Sequence, residues 1–288
     1  MEENLGNQRA EKLYILPASI ILSALLVSGA IISVYGDNGK VVKSRINETE
    51  IKEIVVQIEI GNLGKKLTDA EVIDRETFED LYRASGKLEE AQRLFKESEE
   101  KIIAVNSENA GMMLNFLWAL GLGQKSAIYE RGAFADKNTA GSFASTGGWT
   151  IAKGGALDHL GKHEFVLLTM EQEILVEKIA QNIYRPCCNN PTSMPDCNHG
   201  MAMLGLIELL VSQGKNEDNI YDIALVVNTL WFPDHYSLVN DYLQKSSLSL
   251  MVTPKEILGY SLSSAEAGQN IIRKMSPTQS PFGSSCSV

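Results

Sequence analysis

Between Tyr184 and Gly205 the chain reads Y-R-P-C-C-N-N-P-T-S-M-P-D-C-N-H-G-M-A-M-L-G, and no helix or strand can carry the first half of it. Pro186, Pro191 and Pro195 each lack a backbone donor, and each pushes the preceding residue toward extended backbone. A rigid loop is therefore required here. The apolar run after it predicts a helix capped by Asp196 or Asn198 and reaching Gly214. The loop holds three of the four cysteines and one of the four histidines in the chain.

Cys187, Cys188, Cys197 and His199 follow a C-C-x8-C-x-H pattern. Adjacent Cα atoms stand about 3.8 Å apart, below the usual disulfide range of about 4.4–6.8 Å, so Cys187 and Cys188 should not pair with each other. Three thiolates and an imidazole converging on one ion would suit tetrahedral zinc first, and the softness of sulfur also suits Cu(I) or iron–sulfur chemistry. A metal would also explain how a proline-rich loop holds its place beside two apolar helices. Met201 and Met203 lie four residues beyond Cys197 and His199, so a thioether could face the same site and favour copper, although methionines at helical spacing more often fill cores. Two other readings stay open. In one, a Cys187 or Cys188 thiolate attacks a disulfide and Cys197 resolves it, with His199 or Arg185 lowering the thiol pKa. In the other, a disulfide merely staples the loop.

Leu13 to Gly36 contains no charged residue. As a helix rising about 1.5 Å per residue it would reach about 36 Å, enough to cross a bilayer core of about 30 Å. Tyr14 and Tyr35 mark its ends, where aromatic rings favour the membrane boundary. No A-x-A-like cleavage site follows, so residues 13–36 are expected to be a retained transmembrane helix after a tail of residues 1–12. Arg9 and Lys12 before it nearly balance Lys40, Lys43 and Arg45 after it, a count that slightly favours a cytoplasmic C-terminal side. The layout of a short tail, one anchor and a large domain is that of outward-facing tethered thiol proteins, so an extracytoplasmic body is expected. The net charge of -10 argues against an electrostatic grip on nucleic acid.

The body is expected to be mainly α. Residues 37–66 read as a linker in which Val56, Ile58 and Ile60 alternate with polar residues as a short strand, residues 67–275 as a helical domain, and residues 276–288, with Cys286, as a tail. Thr68 to Glu71 has the form of a capping box opening a helix, and helical patterns cover about 75–85 and 87–105. Asn109 or Ser107 should cap a helix over 110–120 that ends at Gly121. Residues 121–157, rich in Gly, Ser and Thr, are expected to be a long loop pinned by Phe134, Phe143 and Trp149. Gly121 to Ser126 lacks the spacing of a phosphate loop, and Phe143 to Gly147 lacks the first glycine of a nucleophile elbow, so neither nucleotide binding nor a serine nucleophile is assigned. Further helices are expected after the Thr169 capping box, after Asn216, and after Thr253-Pro254. His159, His163 and His235 are expected on loops or the surface.

A helix ending at a cysteine pair, followed by a helical hairpin whose turn runs from Gly214 to Ile220, resembles the three-helix thiol-oxidoreductase domain of the cytochrome c maturation protein CcmH. The resemblance covers about residues 171–236. It implies an extracytoplasmic, membrane-tethered domain that reduces disulfides or handles apocytochrome thiols. The pair in that family is spaced C-x-x-C, whereas Cys187 and Cys188 are adjacent.

Overall fold

A computed structural model describes residues 54–148, 151–246 and 252–275. The 13–36 segment and the tail with Cys286 lie outside the described residues. Among the described residues no helix is long and apolar enough to cross a membrane. The fold is mainly helical, as expected, with one small sheet.

β1 (Val56–Glu59) is the strand that alternation predicts, with Val56 and Ile58 turned into the core. Its partner comes from a stretch read as helix. α1 (Leu63–Asp69), α2 (Arg75–Arg83) and α3 (Leu88–Phe95) follow β1, and the chain then straightens at Lys96 into β2 (Ile102–Val105). The strands pair antiparallel, Val56 opposite Val105 and Glu59 opposite Ile102. The helix expected to continue to residue 105 therefore stops at Phe95, because β-branched residues opposite a free strand edge gain more from the ladder than from helix. The Thr68 box is likewise corrected. Thr68 sits in the last turn of α1, its hydroxyl donating back to the carbonyls of Gly64 and Lys65, since Leu63 and Leu67 bury one helical face before it. The next helix starts at Asp74, whose carboxylate accepts the Thr77 N–H at 2.8 Å.

The centre of the body is the crossing of α4 (Ala110–Gly123) with α9 (Asn198–Ser212), both sheathed almost completely by other elements. A Cβ at Gly121 would lie 2.1 Å from the Met201 carbonyl oxygen, and one at Gly205 would lie 2.5 Å from that of Leu117. The two backbones therefore touch. This corrects the expectation that Gly121 ends its helix: α4 continues through it to Gly123, because the glycine serves the crossing and not a turn.

Residues 121–157 are not an open loop. After α4 come a 3-10 turn at Ala127–Glu130, three single-turn helices, α5 (Gly132–Ala135), α6 (Lys137–Ala140) and α7 (Ala144–Gly147), and a second 3-10 turn at Ala156–Asp158. Asp136 caps α6 by accepting the N–H groups of Asn138 and Thr139. Phe134 stacks against Tyr129 and Phe143 and so pins the segment as expected, while the Trp118 indole donates to the Ser145 carbonyl at 2.8 Å. Trp149 lies outside the described residues.

α8 (Met170–Ala180) starts at the Thr169 capping box, with both reciprocal bonds made. α10 (Glu217–Trp231) starts at Asn216, and α11 (Pro233–Lys245) begins with Pro233, which thus opens a helix as well as ending one. α12 (Pro254–Ile257), α13 (Tyr260–Ser263) and α14 (Ala265–Met275) complete the body. His235 stands in the first turn of α11, where its Nε2 bonds the Leu262 carbonyl at 2.7 Å and ties α11 to α13.

Glu208, in the middle of α9, is fully buried and neither carboxyl oxygen has a hydrogen bond of ordinary geometry. Burial pushes its carboxyl well above the usual carboxylate range, against a pull from Ser126.

Two outcomes are expected. Gly121→Ala and Gly205→Ala should each cost about 1–3 kcal/mol or more in denaturant unfolding, because the backbone they would strike cannot retreat. Gly111→Ala, in the same α4 but facing open space, should be neutral or stabilising by about 0.5–1 kcal/mol. Glu208 binds a proton in the folded state that it has lost in the unfolded state above the ordinary carboxylate pKa. Stability should therefore fall as pH rises from that value toward the folded pKa, by up to about 1.4 kcal/mol per unit. Thermal unfolding of Glu208→Gln from pH 5 to 8 should show a flatter dependence than the parent.

Candidate metal centre

α8 releases the chain at Gln181, and α9 takes it up again at Cys197. Between them several backbone groups are bonded to neighbouring elements. Tyr184 N donates to Leu258 O, Thr192 N to Ile183 O, Ser193 N to Ala180 O, and Ala265 N to Cys188 O, while Asp196 O accepts from Ser145 N. The loop thus reaches α8, α7 and the start of α14 as well as its own ends.

The side chain that gathers the loop is Arg185, which is 1% exposed. Its Nη1 donates to Asn190 O at 2.9 Å, and its Nη2 donates to Met194 O at 2.9 Å and to the Asp196 carboxylate at 2.5 Å. Its Nε donates to Cys197 Sγ at 3.0 Å. Gly200 leaves the space for it, since a Cβ there would lie 2.5 Å from the guanidinium carbon. The same network explains why neither Asp196 nor Asn198 caps α9. Arg185 and the Asn190 amide occupy the Asp196 carboxylate, and the cap passes to Cys197, whose sulfur accepts the Gly200 N–H at 3.4 Å.

Cys187, Cys188 and Cys197 converge. Their sulfurs lie within 4.8 Å of one another, Cys187 and Cys197 stand 3.5 Å apart, and all three residues are free thiols partly open to solvent. Hydrogen bonds from the Cys187 and Cys188 thiols, with the Arg185 charge behind them, hold Cys197 well below the ordinary thiol range despite its burial. Cys187 moves the other way, raised by its bonds to Cys188 and Cys197 and by burial. Cys188 is pushed up to about 11: a hydrogen bond from Cys187 pulls it down, but the bond toward Cys197 and burial outweigh it. Of the three sulfurs, the one that Arg185 faces is that of Cys197.

His199, expected as a fourth ligand, stands beside this group and not within it. Its Nδ1 is 4.0 Å from Cys187 Sγ, and its ring packs on Phe232 and Trp231 at 4.5 and 5.8 Å between centroids. Met201 and Met203 are buried in the core, and the Met201 sulfur accepts the Tyr129 hydroxyl, so neither thioether serves the cluster. His159 and His163 sit elsewhere, on irregular segments as expected, with ring nitrogens 3.5 Å apart; His159 is buried there and bonded to Lys153 O. Sequence reasoning treated Arg185 as a helix stop and a thiol acidifier and missed its larger role. One signal was present: it is the only Lys or Arg between Lys178 and Lys215.

No protein-family model, no curated protein and no solved structure matches the chain.

The guanidinium network makes the acidity of Cys197 testable. Arg185→Gln should raise the pH midpoint of Cys197 alkylation, followed by peptide mass analysis, and Gly200→Ala should do the same by displacing the guanidinium. An unchanged midpoint in both variants would remove Arg185 as the partner of that thiolate.

Proposed function

We propose that this chain is a membrane-anchored protein whose helical body binds a soft transition-metal ion on Cys187, Cys188 and Cys197. The observation that carries the reading is the approach of the sulfurs of three free, partly exposed cysteines to within 4.8 Å of one another. Thiolates select zinc, Cu(I) and iron–sulfur chemistry over hard cations. Zinc was the first expectation and copper the second. A tetrahedral zinc would need a fourth donor, for which His199 or a water is the candidate, whereas Cu(I) is content with three sulfurs. The charge-free run 13–36 supports the anchor, and the layout of the chain supports an outward-facing body.

One observation favours a second reading. Cys197 combines a lowered pKa, an arginine donor and a helix N-terminus with a second sulfur 3.5 Å away, the arrangement a thiol–disulfide exchanger uses. That reading agrees with the CcmH-like order of helix, cysteine pair and hairpin.

Metal analysis and thiol counting on the purified, reduced full chain decide between them. The metal reading expects a single ion per chain with three protected thiols, and a loss of metal in Cys187→Ser, Cys188→Ser and Cys197→Ser alike. Metal-free protein in which Cys197 and Cys187 interconvert reversibly between dithiol and disulfide would favour exchange. An inert disulfide would leave only a staple.

A further inference from the structure

Structural zinc loops fold on their ion, because without it nothing holds the ligands together. The loop here does not need that help. Arg185 joins Asn190, Met194, Asp196 and Cys197 through one buried guanidinium, and the loop backbone is bonded to α8, to α7 and to the start of α14. Protein contacts thus tie down the loop that carries the three sulfurs, one of them to Cys197 itself. A metal–sulfur bond of about 2.3 Å places the sulfurs about 4.0 Å apart in a three-fold site and about 3.8 Å apart in a tetrahedral one, and the observed spacing, 3.5 Å for one pair and at most 4.8 Å, suits a metal in either geometry. The His199 imidazole reaches Cys187 at 4.0 Å and Cys197 but does not join the group of all three sulfurs, and its ring also contacts Phe232 and Trp231. All three cysteine residues are partly exposed.

We propose that the Cys187–Cys188–Cys197 triad is a preformed three-sulfur site for exchangeable, three-coordinate thiophilic ions of the Cu(I) kind, and not a structural four-coordinate zinc site. This rests on the metal reading above and narrows it. Arsenite is the sharpest probe of the geometry, since the lone pair of trivalent arsenic limits it to three ligands. Three As–S bonds replace three As–O bonds, and each of the three hydroxides leaves as water with one proton, taken from a thiol or, for a sulfur already ionised, from solvent. No oxidation state changes.

The experiment titrates the reduced full chain, kept free of oxygen, with arsenite, with Cu(I) in competition with a chelator, and with Zn2+. Affinity, thiol protection, far-ultraviolet circular dichroism and limited proteolysis of the loop are recorded. The proposal expects a 1:1 arsenite complex that protects three thiols, with unchanged dichroism and an ion-free loop already resistant to protease. Each Cys→Ser variant should weaken arsenite and Cu(I) more than the about 10–100-fold that loss of a neighbouring hydrogen-bond partner costs, while His199→Ala should stay within about 3-fold of the parent. Equal losses of Cu(I) affinity in His199→Ala and the cysteine variants, or a loop that resists protease only after Zn2+ is added, would overturn the three-coordinate site and leave the broader metal reading standing. Failure of all three ions to bind would bring down both.

Discussion

The contact that everything else leans on is backbone against backbone, where Gly121 of α4 meets Gly205 of α9. Helix axes normally stand about 8–10 Å apart because side chains separate them. Two glycines remove that spacer, and each costs about 1 kcal/mol of helix propensity relative to alanine. The close crossing recovers this by burying Leu117, Leu120, Met201 and Leu204 around it. It also fixes α9 as a rigid post from its first turn. Cys197 stands at the N-terminal end of that post and owes its position to a crossing two helical turns away.

A buried guanidinium does for the loop what the crossing does for the helices. Burying a charge is costly unless it is paired and hydrogen-bonded. Arg185 meets that condition with two carbonyls, a carboxylate and a sulfur. Such a network specifies one loop conformation, since a displaced loop would leave the charge without partners. It also couples structure to chemistry, because one of the groups that satisfies Arg185 is the sulfur with the lowest pKa in the cluster. The donor set was visible as residue types, but what holds it was not.

Local signals were readable where the physics is local. The strand at Val56–Glu59 follows from alternation, and the Thr169 and Thr253 capping boxes are made as their spacing requires, because a cap is satisfied within four residues. The misreadings share one cause. Thr68 to Glu71 has the form of a helix start, yet Leu63 and Leu67 had already committed the preceding turn to the core. Ile102 to Val105 fits a helix until β1 offers an edge. Gly121 looks like a stop until a second glycine arrives from residue 205. In each case burial or pairing in the tertiary structure outweighed a local preference worth less than about 1 kcal/mol per residue.

The amino-acid sequence by itself determined that the body is helical, that residues 184–197 must form an irregular loop, and that sulfur ligands crowd into it, because apolar periodicity and proline geometry act over a few residues at a time. Only the tertiary structure decided which of the ligand-type residues meet. Cys187, Cys188 and Cys197 converge, while His199 borders two of them and packs on Phe232 and Trp231. That choice depends on where a buried arginine finds its partners and on how closely two distant helices can approach, and neither is encoded in the spacing of the ligands themselves.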